Sequence, residues 1–214
     1  MAWKRKSTDS LTGRRSAGRP PRDVAQAIDE RLLDAARALF CRKGIAGASM
    51  EEVADEAGIA KQTIYRRYNG KAALIDAVVS RDLDQMLAQR DIAGATPLER
   101  LRQMVLQRFH HTLEPENLLF VGFLLAEAAY SPALRERFRD WSERIHAPVL
   151  ELLREAQAAG EVRAGDVAVL SRLLDDLTGT AAQQVRLANP QAFDGLERDD
   201  WFALRWGAFL RLVG

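Results

Sequence analysis

Apolar residues recur along this chain at helical spacing, and no alternating stretch is long enough to suggest a strand. Ile28, Leu32, Ala35, Ala36, Leu39 and Phe40 mark the first apolar face, and Gly44 stops that helix behind Arg42 and Lys43. Ser49-Met50-Glu51-Glu52 then carries a capping-box pattern, in which the Ser49 hydroxyl accepts from the third amide and Glu52 reaches back. The short helix it opens, apolar at Val53, Ala54 and Ala57, ends at Gly58. Only Gly58-Ile59-Ala60 separates it from a second short run, Lys61 to Tyr68. Asn69-Gly70 breaks the chain, and Lys71 begins a longer helix through Leu74, Ile75, Val78, Val79, Leu83 and Met86. Further helices are expected at 97–113, 116–130, 132–159, 166–188 and 198–213, between breaks at Pro97, Pro132, Gly160, Gly165, Pro190 and Gly195. Pro148 interrupts one of these patterns and should kink or split it. The expected fold class is all-α: an N-terminal three-helix unit followed by a C-terminal helical bundle.

Two short helices joined by a tight turn containing Gly make a helix-turn-helix candidate. In such a unit the first helix crosses the DNA backbone and the second enters the major groove, which is wide enough for one helix. The second helix must then anchor on one face and expose donors on the other. Ile64 and Tyr68, four apart, can pack inward, leaving Lys61, Gln62, Thr63, Tyr65, Arg66 and Arg67 to face a partner. A helical hairpin with a solvated polar face would show the same bare pattern.

Charge changes the picture. The 214-residue chain has a formal net charge of only +1, but residues 1–22 hold seven bases and one acid. Residues 23–71 hold eight of each, and residues 72–214 hold 16 bases against 21 acids. A basic end is thus joined to an acidic body, which points to a polyanion at one end or to a solvated tail. The single Cys41 excludes an internal disulfide framework and fits a reducing compartment; beside Phe40 it reads as a small buried residue. The apolar run Leu118–Ala126 is too short to span a bilayer, and residues 1–22 lack the apolar centre of a signal peptide. A cytoplasmic protein without membrane contact is expected.

From about Ile28 to Leu74 the chain resembles the DNA-binding domain of the TetR family of bacterial transcriptional regulators. The resemblance rests on Leu39-Phe40, Lys43-Gly44, Ser49 to Ala54, Ala57-Gly58-Ile59, Lys61 to Tyr68, and Lys71 with Leu74. The chain departs from the usual family pattern at Ala60, where Ser is common, at Gln62, where Gly is frequent, and at Tyr68, where Phe is usual. Ala60 forgoes a hydroxyl that could meet a phosphate, and Gln62 adds a side chain able to read an adenine edge. The resemblance implies phosphate contacts from Ser49, Thr63, Tyr65, Arg67 and Lys71, and base-edge contacts from Lys61, Gln62 and Arg66. It divides the chain into a basic arm (1–22), a DNA-binding domain (23–71) and an effector-binding and dimerisation domain (72–214). Within the arm, Arg15-Ser16-Ala17-Gly18-Arg19-Pro20 resembles a minor-groove hook; Arg15 and Arg19 either enter the groove or add general phosphate attraction.

The body is less determined. Met104, Phe109, Phe120, Phe123, Leu124, Trp141 and Ile145 could line an apolar effector cavity, though any bundle core needs such spacing. Glu127 is the odd carboxylate among them, available to a ligand or to an Arg on a neighbouring helix. The last two helices offer Leu170, Leu174, Leu177, Ala181, Trp201, Leu204 and Ala208 either to a two-fold mate or to their own core. His110 and His111 are adjacent and diverge on a helix, His146 stands isolated, and no nucleophile constellation or phosphate loop occurs. Neither an enzyme nor a metal or cofactor is expected. The function implied is a homodimeric repressor released from a palindromic DNA operator by a small-molecule effector. An activator, a regulator without a ligand, and a helical ligand-binding or protein-interaction module remain the alternatives.

Overall fold

The computed structural model describes residues 22–88 and 92–214; Arg15 and Arg19 lie outside the described residues. The described chain is helical throughout, without a strand. Helix α1 (Arg22–Gly47) buries Leu32, Ala36, Leu39 and Phe40, the periodic face seen in the sequence. Its geometry breaks at Gly44, where φ is 73° and ψ is 169°. That backbone conformation suits glycine, because a β-carbon there crowds the following carbonyl.

Helices α2 (Met50–Glu56) and α3 (Lys61–Arg67) follow, and both are too short to persist without tertiary packing. Helix α4 (Lys71–Ala88) leads from them into the body. The body contains α5 (Pro97–Leu113), α6 (Pro115–Tyr130), α7 (Pro132–Ala158), α8 (Val167–Arg186) and α9 (Arg198–Val213). Their starts follow local chemistry. Thr96 and Glu99 form a capping box on α5, Ser131 caps α7 and Asp166 caps α8. Proline occupies the first turn of α5, α6 and α7, where its missing N–H costs nothing. Of the kink or split expected at Pro148, the split does not occur. Helix α7 continues through it, with buried Trp141 on one side and buried Val149, Leu152 and Leu153 on the other. Burial on both flanks outweighs the one lost backbone bond.

Two hydrophobic cores result. The first joins α1, α2, α3 and α4 to Phe120, Leu124 and Ala128 of α6 and to Leu134 and Trp141 of α7. The second gathers α5, the later half of α7, α8 and α9 around Leu101, Leu153, Leu174, Trp201, Phe202 and Phe209. The helix-turn-helix unit therefore shares its core with the body, and α1 packs on α2, α4 and α6 together.

The α1–α6 joint is close at Gly44, where an added β-carbon would lie 3.2 Å from Glu127 Oε1. Gly44→Ala should destabilise the protein by about 1–2 kcal/mol through backbone strain, measured by urea denaturation followed by circular dichroism.

Candidate nucleic-acid interface and effector cavity

The α2–α3 unit is built from within. Ser49 Oγ accepts from the Glu52 amide at 3.1 Å, and the Glu52 carboxylate accepts from the Ser49 amide at 2.9 Å. Lys43 also donates to Glu52, at 2.6 Å, tying the end of α1 to this cap. Gly58 turns the chain in the left-handed region (φ 66°), and Ile59 N–H closes the turn on Ala54 O at 2.9 Å. Ile64 is fully buried and fixes the roll of α3, while half-buried Tyr68 packs against the same core.

With that roll, Lys61, Gln62 and Arg66 are exposed and hold no hydrogen bond or ion pair among the described residues. Tyr65 is 52% exposed, and its hydroxyl donates to Glu51 Oε1 at 2.6 Å. That bond holds the Glu51 carboxyl below, and the Tyr65 phenol above, their ordinary pKa ranges. Thr63 is half-buried, and Arg67 pairs with Asp29 of α1. Lys71 turns its ammonium into the α1–α2 junction, donating to Ile45 O at 2.7 Å and Ala48 O at 2.9 Å. It thereby satisfies carbonyls orphaned where α1 ends. The sequence gives no sign of this role, because the accepting carbonyls lie more than twenty residues upstream.

Between α1, α4, α5, α6, α7 and α8 lies a cavity of about 340 Å3. Phe120, Leu124, Trp141 and Ile145 line it, as do Leu83 and Phe138. Met104 lines an adjoining cavity of about 440 Å3 that shares Met86, Arg108 and Ile145 with the first. The other expected lining residues lie elsewhere. Phe109 is buried in the second core, stacked on Trp201 at 5.7 Å between ring centroids. Phe123 stacks on Phe40 at 6.5 Å in the first core. Glu127 forms no ion pair among the described residues and stands beside Gly44 rather than in the cavity.

The polar lining was not expected from the sequence, since its members are scattered over separate helices. Arg37 lies 4.9 Å over the Phe120 ring, donates to Asn117 Oδ1 at 2.5 Å and faces Asp82 at 3.4 Å. His111 turns into the cavity, where burial lowers its pKa, while adjacent His110 pairs with Asp199 at 2.6 Å. His146 is not isolated: it bonds Asp175 at 2.6 Å, and Asp175 also accepts from Arg108. Cys41 is half-buried, and burial raises its thiol pKa. Among the described residues, no three His, Cys, Asp or Glu side chains converge as metal ligands.

Comparison with known proteins agrees with this geometry. Residues 32–78 match the family described as bacterial regulatory proteins, tetR family, and residues 94–183 match the tetracyclin repressor-like C-terminal domain. The chain belongs to the TetR family of transcriptional regulators. It is 29% identical over 157 residues to the HTH-type transcriptional regulator UidR of Escherichia coli, covering 72% of this chain and 79% of that one. It is 27% identical over 177 residues to the HTH-type transcriptional repressor KstR2 of Mycobacterium tuberculosis, covering 78% and 87% of the two chains. A TetR transcription regulator from Haloarcula marismortui superposes with a TM-score of 0.71 at 17% identity, covering 88% and 98% of the two chains. That last likeness concerns the fold.

The TetR-type body also shows which candidate dimer residues remain accessible in the single chain. Leu170, Leu174, Ala181 and Trp201 are buried in the protomer's own second core, and Leu177 is half-buried against it. Leu204 is 54% and Leu212 46% exposed, with half-buried Ala208 between them, so α9 presents an apolar stripe outward. No described helix is long and apolar enough to cross a membrane.

Lys71→Met removes the charged donor from the α1–α2 junction. The loss should lower stability by roughly 1.5–3 kcal/mol, read by chemical denaturation. An unchanged midpoint, with a DNA-binding salt slope shallower by about one, would instead assign Lys71 to phosphate alone.

Proposed function

We propose that this TetR-family regulator is a cytoplasmic homodimeric repressor that a small-molecule effector releases from a palindromic operator. The observation carrying this reading is the cavity wall itself, which includes Arg37 of α1 and Val79, Asp82 and Leu83 of α4. These two helices also bury the reading head, so a ligand that alters their packing changes how α3 is presented. Lys61, Gln62 and Arg66 would read base edges. Ser49, Tyr65, Arg67 and Lys71 would meet phosphates after exchanging their present internal bonds, and Thr63 would meet one directly. The acidic body turns away from DNA, while the basic residues 1–22 add attraction at the head.

The α9 stripe supports dimerisation. Leu204, Ala208 and Leu212 recur at four-residue spacing, and pairing them with a two-fold mate would remove exposed apolar surface. Two heads about one DNA turn apart would then read a symmetric site.

Selection from random duplexes with the purified protein should enrich a palindrome, and Gln62→Ala should relax one position in each half-site by about 1–3 kcal/mol. Enrichment of no symmetric sequence at low salt would sink the operator reading. Independently, Leu204→Glu should convert the dimer to monomers in sedimentation velocity and weaken operator binding in proportion; dimers that persist would exclude the α9 stripe as the interface.

A further inference from the structure

The cavity carries a charge imbalance that its apolar walls conceal. His146 Nδ1 lies 2.6 Å from Ser142 O, and its Nε2 lies 2.6 Å from Asp175 Oδ2. The Ser142 hydroxyl also lies 3.2 Å from Nδ1, but the two shortest partners, a carbonyl and a carboxylate, only accept, so both are met when both ring nitrogens donate, as in an imidazolium. Asp175 accepts a second cation, Arg108, leaving one carboxylate between two positive groups.

The surrounding helices do not supply the missing anion. On α1 and α4, Arg37 is matched by Asp82, which Arg81 also approaches while bonding Asp34. On α5, burial disfavours the charged form of His111, though Asp82 and Glu114 pull the other way. On α6, Asn117 is neutral, and Glu116 is 88% exposed at 3.9 Å from Arg37, outside the lining. The lining thus holds Arg37, Arg108 and His146 against Asp82 and Asp175, a surplus of one positive charge. Phe120, Leu124, Phe138, Trp141, Leu83 and Ile145 provide much of the remaining wall, and the His146 and Asp175 side chains keep 31% and 30% of their exposure, so an unmatched charge there is only partly solvated.

We propose that the effector is a monoanion with a largely apolar body, its acidic group beside the Arg108–Asp175–His146 cluster and its body against the Phe120–Trp141 wall. This rests on the reading of the cavity as the effector site. The anion completes a two-cation, two-anion cluster, and a neutral or cationic ligand of the same shape does not. The bond to Asp175 also raises the His146 pKa against the opposing effect of burial. The preference for an ionised acid is therefore present below the His146 pKa in the folded protein, while the acid itself stays ionised, and declines as pH rises through that pKa.

Three probes with one body separate the possibilities: naphthalene-2-carboxylate, naphthalene-2-carboxamide and 2-naphthylmethylamine, titrated into the full chain by calorimetry. At pH 6 the carboxylate should bind about tenfold or more tightly than the amide, with the amine weakest. Between pH 6 and pH 9.5 the advantage of the carboxylate over the amide should shrink. His146→Gln, checked for folding by circular dichroism, should lose that advantage at pH 6. Equal binding of carboxylate and amide at pH 6 overturns the anion inference and leaves the cavity as a ligand site. An advantage constant across the pH range in the wild-type protein overturns the part assigned to His146. Binding by none of the three overturns the effector-site reading itself.

Discussion

The structure depends on the burial of α1 from more than one side. Leu32, Ala36, Leu39 and Phe40 are 3% exposed or less, within a core that holds Val53 and Ile64 of the reading head and Phe120 and Leu124 of the body. Helices α2 and α3 have seven residues each and could not hold their shape without that contact. The surface that stabilises the head is therefore the surface that ties it to the cavity walled by α1 and α4. A close-packed joint of this kind transmits displacement, because its side chains cannot shift singly without opening voids.

Electrostatics refine that joint. Most groups chemically suited to phosphates already have partners inside the free protein: Ser49 in its cap, Tyr65 on Glu51, Arg67 on Asp29 and Lys71 on backbone carbonyls. Such bonds preorganise the head, and they must be exchanged or shared when DNA arrives. The side chains of Lys61, Gln62 and Arg66 have no such bond among the described residues and are exposed. In the proposed function, sequence reading falls on side chains with the least intramolecular cost, and positioning on those that also support the fold.

The cavity follows a related logic. Its apolar part grows from the same periodic residues that build the first core, while its polar part comes from Arg37, Asp82, Arg108, His111, His146 and Asp175 on five helices. The first kind of residue was legible as a pattern, since apolar spacing is a local property of a helix. The second kind looked like ordinary surface charge or, for His146, like an isolated ring. The turn of α5 that aims His111 inward and His110 at Asp199 could be inferred only as a divergence, without the destination of either ring.

By itself, the sequence determined the all-α class, the helix order, the start capped by Ser49, the breaks at Pro97 and Pro132, and the inward turn of Ile64. Each depends on hydrogen bonds or packing periods within a few residues. It also located the reading helix, because a capped helix, a Gly turn and a basic helix are contiguous in the chain. Tertiary structure alone decided that Phe109 and Phe123 serve the cores, that Lys71 closes the end of α1, and that Trp201 is covered by its own protomer. It likewise carried α7 unbroken through Pro148 and brought His146 to Asp175. These outcomes rest on which helix faces meet across long separations in the chain, and periodicity along one helix says which face is apolar but not what will cover it.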